Sequence, residues 1–360
     1  MFSILLPFLL FPTLFASKLN LIIDTDAVAD DLKALTIALN HPNINVIAIT
    51  TVHGGVPVTQ STANVRRLLR AVGQPNIPIY TGSEDAMIPK GDVIVWEDLF
   101  GFDGIGGVPE FPPKVEPTEF TPHNELHAVD ALINITNHHD NIVLVCLGPL
   151  TNLASAIRKD PRIVSRFDKV VIMGGSYMAM GNTRTNSSAE FNFLMDPEAA
   201  QVVLESVHTT IVPWDTCFFK GSEYADIIDF DESLKISSDL SQFLDKVTLR
   251  AREFNEKHDQ YATFVDDVAI GVAINEQIAT KVSKLYARVE LAQETFTRGQ
   301  VVIDWLSVGF NKTKKLFEAK EMKNDRGWLA HEFVLDYDVR AVNRLLIDSV
   351  TPKNRVKDDL

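Results

Sequence analysis

Cysteine is nearly absent, with two residues in a chain of 360. That scarcity excludes a disulfide framework and a zinc site built on paired cysteines. Cys146 sits inside an apolar run and Cys217 follows another, so both read as buried thiols, with a single bridge between them as the alternative. Clustered positive charge is missing too. The formal charge is −14 and no stretch gathers Lys and Arg, so a phosphate backbone would be repelled and nucleic acid is excluded as a partner. No linker, repeat or low-complexity tract divides the chain, and residues 18–360 are expected to form one catalytic domain. The apolar stretch Met1–Ser17 is shorter than a membrane span and reads as a signal peptide cleaved near Ala16 or Ser17, with an uncleaved anchor as the alternative. Secretion, with no membrane contact after cleavage, is the expected localisation. The sequons at Asn134, Asn186 and Asn311 then become candidates for a glycoprotein's sugars.

What is present is apolar enough to fold: 46% hydrophobic against 23% charged. Short β-branched runs, Leu19–Ile23, Asn45–Val52, Ile77–Tyr80, Ile142–Leu147, Val170–Met173 and Thr209–Val212, alternate with segments of helical periodicity. One such helix stops at Gly73, and another starts from Asp196 as N-cap with Pro197 in its first turn. Strand and helix in alternation predict an α/β fold with a mostly parallel central sheet flanked by helices. Val93–Pro122 reads as loop, and Asp229–Phe264 as an insert.

In parallel sheets ligands collect beyond the carboxyl ends of the strands, and four segments there are unusually polar. Asp24, Asp26, Asp30 and Asp31 crowd four carboxylates into eight residues after the first strand. Such a cluster repels itself unless a divalent cation sits among it, and an all-oxygen donor set selects Ca²⁺ or Mg²⁺. Helix capping accounts for Asp30 and Asp31 but not for all four. Asp266-Asp267 opens a later helix; taken alone, it reads as a cap. Leu147-Gly148-Pro149-Leu150-Thr151-Asn152 is a strand-to-helix corner that leaves a carbonyl free to face a ligand. Met173-Gly174-Gly175, Gly181-Asn182 and Ala189-Glu190-Phe191-Asn192 supply donors and acceptors suited to sugar hydroxyls, though each is also ordinary loop chemistry.

In this order, together with Asp196-Pro197-Glu198-Ala199-Ala200 and Arg298–Asp304, these segments resemble the inosine-uridine nucleoside hydrolase family, from about Leu19 to at least Asp304. The resemblance implies a Rossmann-like nucleoside hydrolase fold and cleavage of the N-glycosidic bond of ribonucleosides to ribose and free base. It implies Ca²⁺ bound by Asp26, Asp31, the backbone carbonyl of Leu147 and Asp267, with Asp26 taking a proton from the Ca²⁺-bound water that attacks the anomeric carbon. Asp30, Asn182, Glu190, Asn192 and Asp267 would hold the ribose hydroxyls, Met173 would lie beside the sugar, and Asp24 would orient its neighbours. A homodimer or homotetramer is implied as well.

Four positions depart from the family pattern. Val28 stands where the family usually has Gly, so the loop either keeps φ negative there or distorts the site. Gly55 replaces an Asn common in the family and removes a polar contact. Asp266 and Phe100 replace histidines, which removes the expected acid for the departing base. Purine nucleosides are therefore the expected preference, since solvent can protonate a purine ring and Trp96, Phe100 or Phe102 can stack on it. His53 and His258 are alternative acids, each competing with a packed or solvated role. Two rival readings stand beside the enzyme. One is a secreted nucleoside- or ribose-binding protein that has lost catalysis. The other is a haloacid-dehalogenase-like, Mg²⁺-dependent phosphatase with Asp24 as nucleophile.

Overall fold

The computed structural model describes residues 18–89, 96–121, 125–183 and 188–352. The expected signal peptide and the sequon at Asn186 lie outside the described residues.

From its start the chain builds outward. β1 (Leu19–Thr25), α1 (Ala29–Asn40), β2 (Ile44–Thr51), α2 (Val58–Val72) and β3 (Ile79–Thr81) come first. The short helix α3 (Glu97–Phe100) follows, and α4 (Ala128–His138) returns the chain to β4 (Ile142–Cys146), on the other side of β1. That side grows through α5 (Thr151–Lys159), β5 (Phe167–Met173), α6 (Phe191–Met195), α7 (Pro197–Ser206), β6 (Thr210–Val212) and α8 (Trp214–Tyr224). Next come α9 (Asp239–Lys257), α10 (Asp266–Ile274), β7 (Ala279–Val289) and β8 (Val301–Ile303). The pair β9 (Gly309–Asn311) and β10 (Leu316–Glu318), then β11 (Ala330–Tyr337) and α11 (Val339–Val350), complete the described chain.

The nine-stranded sheet has the order β3-β2-β1-β4-β5-β6-β11-β7-β8. Its strands are parallel from β3 through β11, while β7 and β8 pair antiparallel at one edge. This is the mostly parallel sheet that the alternating pattern predicts. The direction of strand addition reverses between β1 and β4, which opens a crevice at their carboxyl ends.

Burial of both sheet faces explains the continuously apolar strands. Leu21 and Ile23 of β1 point into one core, with Val143 and Val145; Ile22 points into the other, with Leu144 and Cys146. Each such fully buried side chain contributes about 1.5–3 kcal/mol relative to exposure. The cysteines are both buried and free, one in each core.

Two regions differ from the sequence reading. Val93–Pro122, read as loop, contains α3 and is held down by arginines of α2. Fully buried Arg67 donates to the carbonyls of Val108, Phe111 and Pro113, and Arg66 donates to those of Thr118 and Glu119. These bonds replace the backbone ladder that an irregular segment lacks. Asp229–Phe264, read as an insert, contains the 19-residue helix α9, which packs on α1, α2 and α3. Its apolar face makes it part of the body of the protein.

Candidate active site

The turn after β1 is the centre of the site. Ala27 takes the left-handed conformation (φ 53°), and Val28 keeps φ at −84°. The β-branched residue therefore distorts nothing; the strain falls on its neighbour. Ala27 is held by its own N–H, which donates to Thr25 Oγ1 at 3.0 Å, and by its carbonyl, which accepts from Asn64 Nδ2 at 2.9 Å. Asp31, in the first turn of α1, accepts from the Thr25 hydroxyl and from the Val28 N–H at 3.2 Å. Capping is thus part of its role.

Asp26 Oδ2 accepts from the Gly55 N–H at 2.6 Å. A Cβ on Gly54 would lie 2.2 Å from that oxygen, so this approach requires glycine. A Cβ on Gly55 would lie 2.7 Å from Val28 Cγ1. Val28 and Gly55, two separate departures in the sequence, are one steric exchange in the structure: the valine methyl fills the space that a side chain at 55 would need.

Asp24 is fully buried behind the crevice. It accepts from Thr50 Oγ1 and from Asn152 Nδ2 at 2.8 Å, and its carbonyl accepts from the Leu147 N–H at 2.8 Å. This ties the LGPLTN corner to the turn after β1. A side chain so enclosed cannot attack a substrate, which removes the phosphatase reading with Asp24 as nucleophile.

The crevice is a cavity of about 740 Å³. Asp26, Asp30, Asp31, Leu147, Met173, Asn182, Glu190 and Asn192, all expected at the site, line it. Asn192 Nδ2 donates to the Leu147 carbonyl at 2.7 Å and its N–H donates to Glu190 Oε1 at 2.8 Å. Glu190 also accepts from the Gly175 N–H at 2.8 Å and caps α6. Asn182 Oδ1 accepts from the Phe191 N–H at 2.8 Å. These polar side chains are therefore positioned by backbone before any ligand arrives.

Asp267 is placed differently from the expectation. Carboxylate oxygens of Asp30, Asp31 and Asp266 lie within 4.8 Å of one another, and Asp266 lines the cavity. Asp267 does not line it; its Oδ2 lies 3.6 Å from Lys33 Nζ, while its Oδ1 is buried without a hydrogen-bond partner. Successive side chains in a helix diverge by about 100°, and at the start of α10 it is Asp266 that turns to the cavity. The adjacent aspartates open α10 after Val265, whose φ of −123° and ψ of −89° set the phase. No signal in the sequence distinguishes the two.

Burial dominates the electrostatics. It pushes Asp24 and Asp30 up to about 6 and Asp26 up to about 7, with repulsion from Asp30 adding to the effect on Asp26. Asp31 and Asp266 are raised well above the usual carboxylate range by burial and then by their acidic neighbours. Glu190 is pushed up to about 7, again by burial, against three backbone N–H groups that lower it. Asp30 Oδ1 is buried without a partner. An orphaned oxygen among oxygen donors in mutual repulsion fits a hard divalent cation, whose charge would return these groups to the ionised state.

Aromatic side chains, Trp96, Phe100, Trp214, Phe218, Phe230 and Tyr261, line much of the rest of the wall, together with polar and charged groups such as Lys33, Arg252 and His258. Trp214 and Phe218 pack with ring centroids 5.9 Å apart. Of these residues, Trp96 and Phe100 were expected as stacking partners. Phe218 and Tyr261 were not, because they belong to segments with no motif of their own. Phe102, the third stacking candidate, is exposed and does not line the cavity. The candidate acids also separate. His53 is buried with Nε2 3.0 Å from Thr151 Oγ1 and does not line the cavity, whereas His258 does.

Residues 21–329 match the family described as inosine-uridine preferring nucleoside hydrolase. The chain belongs to that family. It is 32% identical to the inosine-uridine preferring nucleoside hydrolase of Leishmania major over 79% of this chain and 88% of that one. It is 35% identical to uridine nucleosidase 1 of Arabidopsis thaliana, covering 52% of this chain and 53% of the plant protein. Two other curated relatives are spanned over 61% and 55% of their lengths. Among solved structures, an inosine-guanosine nucleoside hydrolase superposes with a TM-score of 0.76 at 30% identity, covering 92% of this chain and 98% of that one.

Proposed function

We propose that this protein hydrolyses the N-glycosidic bond of ribonucleosides, with purine nucleosides preferred and Ca²⁺ as its resident cation. The observation that carries the reading is the convergence of buried carboxylates from the turn after β1, from α1 and from α10 with Glu190 and Asn192 on one cavity that also presents several aromatic side chains. Asp30, Asp31 and Asp266 would hold the ion, with the Leu147 carbonyl and Asp26 beside them. Asp267, next to Asp266 in the first turn of α10, adds a fifth carboxylate with an unpartnered Oδ1. When bound, Ca²⁺ would balance the negative charge and make a nearby water more acidic.

The side chains do the rest. Asp26 would accept a proton from the attacking water, a role supported by its fixed orientation against the Gly55 N–H and the close approach of Gly54. Glu190, Asn192 and Asn182 offer a preorganised polar surface for the ribose, and Met173 lies against Asn192 on the same wall. As the bond breaks the sugar gains positive character, which anionic surroundings stabilise. The preference for purines rests on Trp96, Phe100, Phe218 and Tyr261, which offer a broad stacking surface, and on Phe100 and Asp266 standing where histidines are common in the family.

The experiment is an assay of free ribose from inosine, guanosine, adenosine, uridine and cytidine, with and without a calcium chelator. Release from the purine nucleosides, lost on chelation, is expected. Calcium-dependent binding without release would identify a binding protein, and faster release from uridine would reverse the base preference.

A further inference from the structure

We propose that His258 is the general acid that protonates the departing base, an assignment that rests on the nucleoside-hydrolase reading above. Cleavage sends an electron pair onto a ring nitrogen of the base, and a proton delivered there lowers the barrier. The donor must stand on the side of the cavity away from the carboxylate cluster. Among the described residues, the ionisable groups that line the cavity besides the clustered aspartates and Glu190 are Lys33, Asp231, Arg252, His258 and Tyr261. Lys33 is engaged with Asp267 at 3.6 Å and lies 5.5 Å over the Phe264 ring. Arg252 pairs with Asp245 and, at 3.8 Å, with Asp231, and a guanidinium does not release its proton in a protein. Tyr261 offers a phenol, and phenols as a class are far weaker acids than imidazolium. His258 remains.

Its geometry fixes which nitrogen does the work. His258 Nδ1 lies 2.7 Å from the carbonyl oxygen of Phe254, and its ring packs on the Phe254 ring with centroids 4.1 Å apart. A carbonyl only accepts, so Nδ1 carries hydrogen in both protonation states. Every proton that comes or goes therefore does so at Nε2. The residue is exposed at the cavity rim, where it can be recharged from solvent, and it caps the carboxyl end of α9, where a positive charge is favoured.

The step balances. The bond between C1′ and the base nitrogen breaks and its electrons leave with the base. The Nε2 proton of His258 goes to a ring nitrogen of the base. A water hydroxyl joins C1′, and the second proton of that water goes to Asp26. The imidazole ends neutral, and the two side chains reset by proton exchange through solvent.

The test compares two substrates of the wild-type protein and of His258→Gln. Inosine needs a proton on its leaving group; p-nitrophenyl β-D-ribofuranoside does not. The expected result is a fall in kcat/KM of about 10²–10⁴-fold on inosine. On the nitrophenyl riboside the loss should be at least tenfold smaller, and that retained activity shows the variant is folded. Equal losses on both substrates overturn the assignment and make His258 a structural residue of the wall. An unchanged inosine rate overturns it in favour of another donor. Failure of the wild-type protein on both substrates would instead remove the hydrolase reading on which the assignment rests.

Discussion

The two ends of the cavity are built on different principles. At the carboxylate end, Asp24, Asp26 and Asp31 are buried and each is held by backbone N–H or hydroxyl donors. At the aromatic end, Phe218 and Tyr261 are 42% and 58% exposed and stand on α8 and on the segment between α9 and α10. One end is preorganised for chemistry; the other can adapt its shape to a base. The difference teaches where substitutions should act: on the rate at the first end and on substrate choice at the second.

The sharpest way to break this comparison is Asp26→Asn. Ribose release should fall by about 10²–10⁴-fold while KM changes little, and full activity would reject Asp26 as the proton acceptor. Calcium comes next. The cation should raise the unfolding temperature, by about 2.7 kcal/mol of added stability at 100 times its Kd, and Asp266→Asn should weaken that shift more than Asp267→Asn. The reverse ranking would return Asp267 to the ligand set. At the aromatic end, Phe218→Ala should raise KM for inosine in proportion to about 1–3 kcal/mol of lost stacking, with kcat nearly unchanged. A fall in kcat alone would mean that this wall also takes part in chemistry.

Smaller effects test the joint between turn and wall. Gly55→Ala should cost about 1–3 kcal/mol in denaturant unfolding, because its Cβ meets Val28 at 2.7 Å. Val28→Ala in the same chain should recover most of that loss. Strict additivity of the two substitutions would show that the pair is not coupled. Far from the cavity, His331 supplies a pH effect. Its Nε2 donates to the Leu204 carbonyl at 3.0 Å, so Nδ1 accepts from Thr209 at 2.9 Å. Burial lowers its pKa from 6.5 to about 3. As pH falls below 6.5 the unfolded chain takes up a proton that the folded one refuses, so stability declines toward pH 3. The decline between pH 7.5 and 5 should be shallower in His331→Gln.

The carboxylate end was legible in the sequence because its chemistry is local: four aspartates within one turn and one helix start cannot be scattered by tertiary structure. The alternating strands and the switch at β1 and β4 were legible for a similar reason. The choice between Asp266 and Asp267 was not, since it depends on the angle at which the chain enters α10. Nor was the aromatic wall, which is assembled from α3, α8 and the end of α9, segments far apart in the chain and without any shared pattern. Asp229–Phe264 was misread because its polar residues mask a helix whose buried side, Phe243, Leu244 and Val247, is narrow.

β11 lies between β6 and β7 although nearly the whole described chain precedes it. During synthesis, the edges of both neighbours must wait, unpaired, for a strand that is made after every other strand of this sheet. An unprotected sheet edge is a template for pairing with other chains. Biogenesis of this protein is therefore vulnerable at a late moment: a stall or premature stop before Ala330 would yield a product in which the carboxylate turn can form while the sheet that carries it stays split.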